Sequence, residues 1–194
     1  MAPPRKHETD LILDATRTLV LTDGPRAAGV AAIAKASGAP VGTLYHRFGS
    51  RDGVLAATWL RALDRFQSGA MTAAAGSALD TAVAMAVSAV DFARELPEDA
   101  RLLLTIRPAD LLDESTGDGL AESIAARNAP LVERLRQLAR DLYGSEDPRS
   151  VEAVSRAVVD LPYSAVRRHP DGVPPWLADD LAAAARALLT GYRP

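Results

Sequence analysis

Residues 40 to 51 of this chain bring together hydroxyl, imidazole and guanidinium side chains: Thr43, Tyr45, His46, Arg47 and Arg51. Hydroxyl and guanidinium groups donate hydrogen bonds to phosphate oxygens, and threonine or apolar side chains contact base edges and the thymine methyl group in the major groove. Carried on one short helix and the residues just after it, these residue types suit contact with double-stranded DNA. This segment is therefore the first candidate for a functional site.

Two predicted helices would position these side chains. The run from Ala31 to Ala36 is rich in strong helix formers, and Ser37-Gly38 can end that helix because glycine adopts the left-handed conformation at little cost. Pro40 suits the first position of a second helix, about Pro40 to Phe48. Leu44 faces inward in that helix, which leaves the polar side chains near or on its outer side. A helix of about two turns is unstable alone, so other elements must hold it.

Residues 29 to 55 contain a glycine-centred turn, then Gly-Thr-Leu-Tyr with an aromatic residue three positions on, and then Ser-Arg-Asp opening the next helix, for which Ser50 is a suitable N-cap. This run resembles the signature of TetR/AcrR-type transcriptional regulators. The resemblance implies that several of these positions meet DNA, mostly at phosphate oxygens, while Val41 faces the bases. The complete set of DNA-binding candidates is Arg26, Pro40, Val41, Thr43, Tyr45, His46, Arg47 and Arg51.

Two alternative interpretations of these side chains stay open. The ring of Tyr45 could pack on the first helix with its hydroxyl in water. Arg47 and Arg51 could be solvated surface charges that contact nothing.

Three positions depart from the pattern of the resembled family. Relatives commonly carry Thr where Ala28-Gly29 stand, a basic residue where Ala31 stands, and Ser where Pro40 stands. These differences imply a small set of base contacts, with extra attraction to DNA supplied by Arg26 or by Arg5-Lys6 in a mobile N-terminal arm.

The composition is that of a globular chain, with 48% hydrophobic residues over 194 positions. The net charge is −3, but residues 1 to 51 carry +3 and the remainder −6, which suits a protein whose N-terminal part alone meets phosphate. Cysteine is absent and the three histidines are scattered, so we expect no metal site and no cofactor. No signal peptide or membrane-length apolar run is evident, so we expect a cytoplasmic protein without membrane contact.

Apolar residues recur at helical spacing along the chain, and no segment alternates as a strand does. The predicted fold is all-α with about nine helices. It comprises an N-terminal three-helix helix-turn-helix DNA-binding domain over residues 1–50 and a C-terminal helical domain for ligand binding and dimerisation over residues 51–194. Helix 1 is predicted from about Glu8 to Thr22, a polar loop from Asp113 to Gly119, and a kink or interruption at Pro130.

Two predicted helices near the C-terminus carry more apolar surface than one core needs. In the resembled family such a pair dimerises as a four-helix bundle, so we expect a homodimer. The alternative is that these faces close the chain's own core. One face of the last helix is predicted to hold Leu177, Leu181, Ala184 and Leu188. The interface candidates are Val151, Val154, Val158, Leu161, Leu181 and Leu188.

The resemblance also implies a ligand pocket among the C-terminal helices, although large side chains such as these are more often plain core than ligand contacts. Few polar groups project from the interior-facing positions, so we expect any small-molecule effector to be apolar and uncharged or weakly polar. Arg107 and Arg127 are the side chains that could instead pair with a carboxylate ligand. The pocket candidates are Trp59, Leu63, Phe66, Met85, Phe92, Ile106, Asn128 and Tyr163.

These features together predict a DNA-binding transcriptional regulator. The specific hypothesis is a homodimeric repressor that reads a pseudo-palindromic operator and is released by a small apolar ligand. A DNA-binding protein of the same fold that needs no ligand is the alternative. A helical enzyme is disfavoured, because the sequence shows no nucleophile–base pairing, glycine-rich phosphate loop or cluster of metal ligands.

Overall fold

The computed structural model describes residues 5–111 and 117–193, and every regular element in these ranges is helical. The all-α prediction is confirmed. Within the same ranges, no helix combines the length and apolarity that crossing a bilayer requires. The elements are α1 (Arg5–Asp23), a 3-10 turn (Pro25–Ala27), α2 (Val30–Ser37), α3 (Val41–Phe48), α4 (Arg51–Thr72), α5 (Ala78–Glu95), α6 (Pro97–Thr105), α7 (Pro108–Leu111), α8 (Gly117–Tyr143), α9 (Pro148–Ser155), a π segment (Arg156–Asp160), α10 (Leu161–Arg167) and α11 (Leu177–Gly191).

Two helix boundaries and one proline differ from the sequence prediction. Helix α1 begins at Arg5, so the backbone of Arg5-Lys6 is helical; residues 1–4 of the predicted arm, and the side chains of residues 5–8, lie outside the described part. Helix α8 begins at Gly117, and residues 112–116 of the predicted loop are likewise outside it. Pro130 does not interrupt α8. Pro130 and Ala126 are both exposed, so water can reach the carbonyl group that the proline leaves without a helical partner.

The chain forms two compact units that are each assembled from two segments. Unit 1 comprises Met1–Leu63 and Arg101–Ile124, and unit 2 comprises Asp64–Ala100 and Ala125–Pro194. Such units follow contacts between residues and do not test a division by function. The division into residues 1–50 and 51–194 therefore stays a prediction.

Unit 1 has a small apolar core that is reinforced by an arginine on α4. Ile12, Ile33, Leu44 and Leu55 are almost completely buried in this core. Arg61 reaches back to α1, where its Nη2 donates to the Asp14 carboxylate at 2.6 Å and its Nη1 donates to Asp10 at 3.0 Å. These bonds join α1 to α4, and α1 also packs on α2.

Unit 2 is built around α5 and α11. The side of α11 that is buried carries Leu177, Leu181, Ala185 and Leu189, and α11 packs on α5. The predicted face placed Leu188 on this side, but Leu188 is 48% exposed while Leu189 is 2% exposed. A stripe through positions 184 and 188 and one through 185 and 189 fit the helical period almost equally well. The packing of α11 against α5 buries the stripe through positions 185 and 189.

Helices α9 and α10 are joined through a widened turn. The amide of Leu161 donates to the carbonyl of Arg156, five residues back, which defines the π segment. Pro162 follows at once, and it lacks the N–H group that would bond to Val158. The widened turn accommodates the proline without ending the helix. Counting α9, the π segment and α10 as one helix gives ten in the described residues, close to the predicted nine.

A buried ion pair in unit 2 generates a stability prediction. Asp99, in the first turn of α6, is 1% exposed and accepts a bond of 2.7 Å from Nη1 of Arg65 on α4. Asp99→Ala leaves the guanidinium of Arg65 without this acceptor, and because that side chain is 33% exposed, water recovers part of the loss. We expect the free energy of unfolding to fall by about 1–3 kcal/mol.

The matched control for Asp99→Ala is Glu98→Ala, which removes the same charge from the neighbouring, exposed position. We expect the control to change the unfolding free energy by less than about 0.5 kcal/mol in urea titrations. Equal losses for the two variants would contradict a specific contribution from the buried pair.

Candidate nucleic-acid interface

Helices α2 and α3 are joined by a three-residue turn whose geometry follows from its residue types. Gly38 ends α2 in the left-handed conformation, with φ +72°, which costs glycine no steric clash. The hydroxyl of Ser37 accepts the amide of Ala39 at 3.3 Å. Pro40 is the N-cap of α3, one position earlier than predicted, and its carbonyl accepts the amide of Thr43 at 2.9 Å. The predicted helix–turn–helix is therefore present.

Helix α3 is seated on unit 1 through its apolar side. Leu44 is 1% exposed and Phe48 is half-buried. Ser50 starts the next helix as predicted, because its hydroxyl accepts the amide of Gly53 at 3.0 Å. With Leu44 fixed inward, the opposite side of α3 must face outward.

The outward side of α3 presents both apolar and polar groups. Val41 is 43% exposed and Tyr45 is 52% exposed, and His46 is exposed beside Tyr45. Pro40 and Arg26 are also exposed. Five of the eight DNA-binding candidates thus lie on accessible surface of unit 1. The open alternative for Tyr45, a ring packed on the first helix, does not agree with this exposure.

Three candidates are less exposed than the sequence suggested. Thr43 and Arg47 are half-buried, and Nη1 of Arg47 donates to the hydroxyl of Thr9 on α1 at 2.7 Å. Arg51 lies at the start of α4, and its guanidinium bonds to groups of unit 1. Neither arginine is the contact-free surface charge that was the alternative interpretation.

Two residues on this surface were missed by sequence reasoning. Gly42 is exposed in the first turn of α3, and a Cβ atom placed there would meet no atom within 4 Å. The backbone of α3 can therefore approach a partner closely at this point. Lys35 is exposed near the end of α2. The sequence signal that points to Lys35 is its position in the last turn of α2, just before Gly38.

Comparison with known families identifies this surface. A family model described as "Bacterial regulatory proteins, tetR family" matches residues 12–58, which contain α2, α3 and the turn between them. Residues 12–58 of this chain are therefore similar to the DNA-binding domain of TetR-family regulators. The chain is accordingly a DNA-binding transcriptional regulator, and the helix–turn–helix of unit 1 is its DNA-binding element.

Solved structures of regulators, among them one described as TetR-family and one as TetR-like, share the fold over nearly the whole chain. PfmR from Thermus thermophilus is 22% identical, with 94% of this chain and 99% of that chain covered and a TM-score of 0.68. A TetR-like regulator from Rhodococcus sp. RHA1 is 18% identical, with 97% of each chain covered and a TM-score of 0.72. The fatty acid degradation regulator FadR from Bacillus halodurans is 19% identical, with 95% and 99% covered and a TM-score of 0.67. A comparison with curated proteins found no match.

The predicted ligand-contact residues divide between the two units. In unit 1, the indole N–H of Trp59 donates to the carbonyl of Ile106 at 3.1 Å, and Leu63 is buried. In unit 2, the rings of Phe66 and Phe92 meet edge to face with centroids 5.4 Å apart, and Met85 is buried in the core. Asn128 accepts a bond of 2.6 Å from the side chain of Gln67, a buried residue that sequence reasoning missed. Tyr163 lies on the surface, 45% exposed.

The predicted dimer residues also separate into two groups. Val154, Val158 and Leu181 are buried in the core of unit 2, so they have no surface left to bury against a second chain. Val151 and Leu161 are half-buried, and Leu188 is 48% exposed. The alternative that these faces close the chain's own core thus describes the first group, and only the second group remains available to a partner.

The exposed side of α3 generates a prediction about sequence preference. Val41→Ala should reduce the preference for a duplex selected by the wild-type protein over a scrambled duplex, because base-edge contacts carry sequence information. Tyr45→Phe should weaken binding to both duplexes by the same factor, about 2- to 10-fold, because a phosphate hydrogen bond carries none. Thr43→Ala should behave as Val41→Ala does.

Fluorescence anisotropy on the two duplexes at one fixed salt concentration provides the measurement, since affinities for DNA depend strongly on salt. A loss of affinity for Val41→Ala that is equal on both duplexes would refute base contact by this residue.

Proposed function

We propose that this regulator is a homodimeric repressor that binds a pseudo-palindromic operator and is released from it by a small, largely apolar ligand. The observation that carries the DNA-binding part is the exposed face of α3 around Val41 and Tyr45, supported on a buried Leu44. In a dimer, two such helices about one duplex turn apart, ~34–36 Å, would read the two halves of the operator.

Footprinting on the DNA that flanks the chain's own gene tests this proposal. A repressor of this kind protects two half-sites of related sequence in opposite orientation, and protection overlaps the promoter. Protection of a single half-site, or of none, would argue against the proposed operator binding by a dimer.

The support for a dimer is apolar surface that remains on the last helices of unit 2. Tyr163 on α10 is 45% exposed and Leu188 on α11 is 48% exposed, while Trp176, just before α11, is 53% exposed. Large apolar side chains of this exposure, grouped on consecutive elements, are typical of surfaces that meet another protein. A second copy of the chain is the partner that a two-fold symmetric operator requires.

Two adjacent leucines on α11 provide a matched pair of variants for the dimer. Leu188→Glu places a charge at an exposed position, so the monomer should remain folded and helical while dimerisation and operator binding are lost. Leu189→Glu places the same charge in the core, where Leu189 is 2% exposed, so this variant should unfold. Sedimentation velocity and circular dichroism separate the two outcomes.

A wild-type protein that sediments as a monomer at micromolar concentration would contradict the proposed dimer. A Leu188→Glu variant that remains dimeric would instead place the interface on another surface.

The support for an uncharged effector is the engagement of the arginines that could have bound an acid. Arg107 is 82% exposed, and its guanidinium donates two bonds to Asp110, at 2.9 and 3.0 Å. Nε of Arg127 donates to Asp64 at 2.8 Å. A ligand carboxylate would have to displace an acidic side chain from either arginine. A carboxylate buried among apolar side chains without such a cationic partner is strongly disfavoured. The amides of Gln67 and Asn128 can orient a neutral polar group instead.

We therefore expect neutral aromatic or aliphatic compounds, and not organic acids, to release the selected duplex from the protein. A competition screen that measures anisotropy with both compound classes provides the test. Release by organic acids alone, lost in Arg127→Ala, would show that the effector is anionic.

A regulator of the same fold that needs no ligand is the second candidate function. A thermal-shift screen against small apolar compounds distinguishes the two, because a ligand that binds only the folded chain raises its melting temperature with increasing concentration. The absence of any shift, together with intact DNA binding, would favour the ligand-independent candidate.

A further inference from the structure

Arg51 stands at the first position of α4, where the sequence suggested a phosphate contact, but its donors are directed into unit 1. Nη2 donates to the carbonyl of Pro25 at 2.6 Å, and Nε donates to the carbonyl of Ala28 at 3.2 Å. Nη1 donates to the carboxylate of Asp52 at 2.9 Å, and Asp52 is 6% exposed. All three nitrogens of the guanidinium group therefore have acceptors within the protein.

The two carbonyl groups flank the segment that leads into α2. Pro25 begins the 3-10 turn, and Ala28, which is 0% exposed, is the residue after it. The next residue, Gly29, is the N-cap of α2. Bonds from one rigid guanidinium group to both ends of this turn fix where α2 starts, and the turn at Gly38 then fixes where α3 starts.

We propose that Arg51 is a positioning residue that sets the helix–turn–helix in register for DNA, and that it does not itself bind phosphate. This inference requires only that the chain binds DNA, and it is independent of repression, dimerisation and any ligand. The buried carboxylate of Asp52 holds the guanidinium group in this orientation. Lysine cannot replace Arg51 in the role, because an ammonium group is a point charge without the planar fork that reaches two carbonyls and a carboxylate together.

Gly53 fixes the position of the C-terminal end of α3, the second helix of the helix–turn–helix. A Cβ atom placed on Gly53 would lie 1.9 Å from the carbonyl oxygen of Phe48, the last residue of α3, so α3 must shift if residue 53 has a side chain. The first turn of α4 thus positions both ends of the helix–turn–helix. Arg51 bonds to the turn that leads into α2, and the absence of a side chain at Gly53 lets the end of α3 pack closely against α4.

The salt dependence of DNA binding separates a positioning role from a phosphate contact. We would measure affinity for a duplex selected by the wild-type protein from a randomised pool, over a series of NaCl concentrations. Loss of one phosphate contact lowers the slope of log K against log[NaCl] by about 0.9, whereas displacement of the recognition helix lowers affinity at every salt concentration. Arg168→Ala, at an exposed site at the end of α10, is the control for the loss of one positive charge.

We expect Arg51→Ala and Arg51→Lys to weaken binding alike, by roughly tenfold, each with a wild-type slope. Gly53→Ala, which keeps every charge, should also weaken binding with an unchanged slope. Recovery of affinity by Arg51→Lys, or a slope reduced by about 0.9 in Arg51→Ala and not in Arg168→Ala, would overturn the proposal in favour of a phosphate contact.

Amide hydrogen exchange of the DNA-free protein supplies a readout that needs no operator. In both Arg51 variants the amides of Ala27 and Ala28, which bond to Gly24 and Pro25 within the turn, should exchange faster than in the wild type. Exchange in the core of unit 2 should not change, which verifies that the variants are folded. Unchanged exchange at the turn would overturn the proposal even if no DNA ligand were found, and failure to select any duplex would count against operator binding alone.

Discussion

Helix α3 has eight residues, too few for a helix to persist in water, because nucleation costs more than so short a run of hydrogen bonds returns. Its shape therefore depends on burial of Leu44, which is the contact that holds α3 on the rest of unit 1. The turn at Gly38 and the close approach of Gly53 to the end of α3 align the helix once Leu44 is buried. Because the contacts that hold α3 are all on its buried side, its exposed side remains accessible to DNA.

Arginine acts in this chain as a structural cross-link as well as a surface charge. Arg51 holds the 3-10 turn and Arg61 holds α1, both from positions on α4, while in unit 2 Arg65 pairs with the buried Asp99. A planar group with five donors can satisfy several acceptors at once, which suits this use. The +3 charge of residues 1 to 51 therefore overstates the charge directed at DNA, since the guanidinium of Arg51 bonds to groups of the protein.

The helix–turn–helix could be predicted from the sequence because its signals are local: a left-handed glycine at Gly38, a proline before α3 and a cap at Ser50 each act within a few residues. The partners of Arg51 could not, because Pro25 is 26 residues away and nothing in the pattern links the two. Likewise, periodicity on α11 permitted either Leu188 or Leu189 to be buried, and only the packing of α5 decides between them. Local rules thus gave the elements and their order, while tertiary contacts assigned the roles of single side chains.

The outer face of α3 offers few groups that can discriminate between bases. Val41 and Gly42 expose an apolar side chain and the helix backbone, whereas discrimination of ~1–3 kcal/mol per base pair comes from bidentate side chains that this face lacks near its start. Selectivity in such a regulator must then depend on where α3 lies and, in the proposed dimer, on the separation of two copies. A small displacement of α3 would remove much of that selectivity. An effector that shifted the population from 1:99 to 99:1 in favour of a conformer that does not bind the operator would have to bind that conformer about 10⁴-fold more tightly. Because the position of α3 is fixed in the DNA-binding conformer, such a shift would remove operator binding.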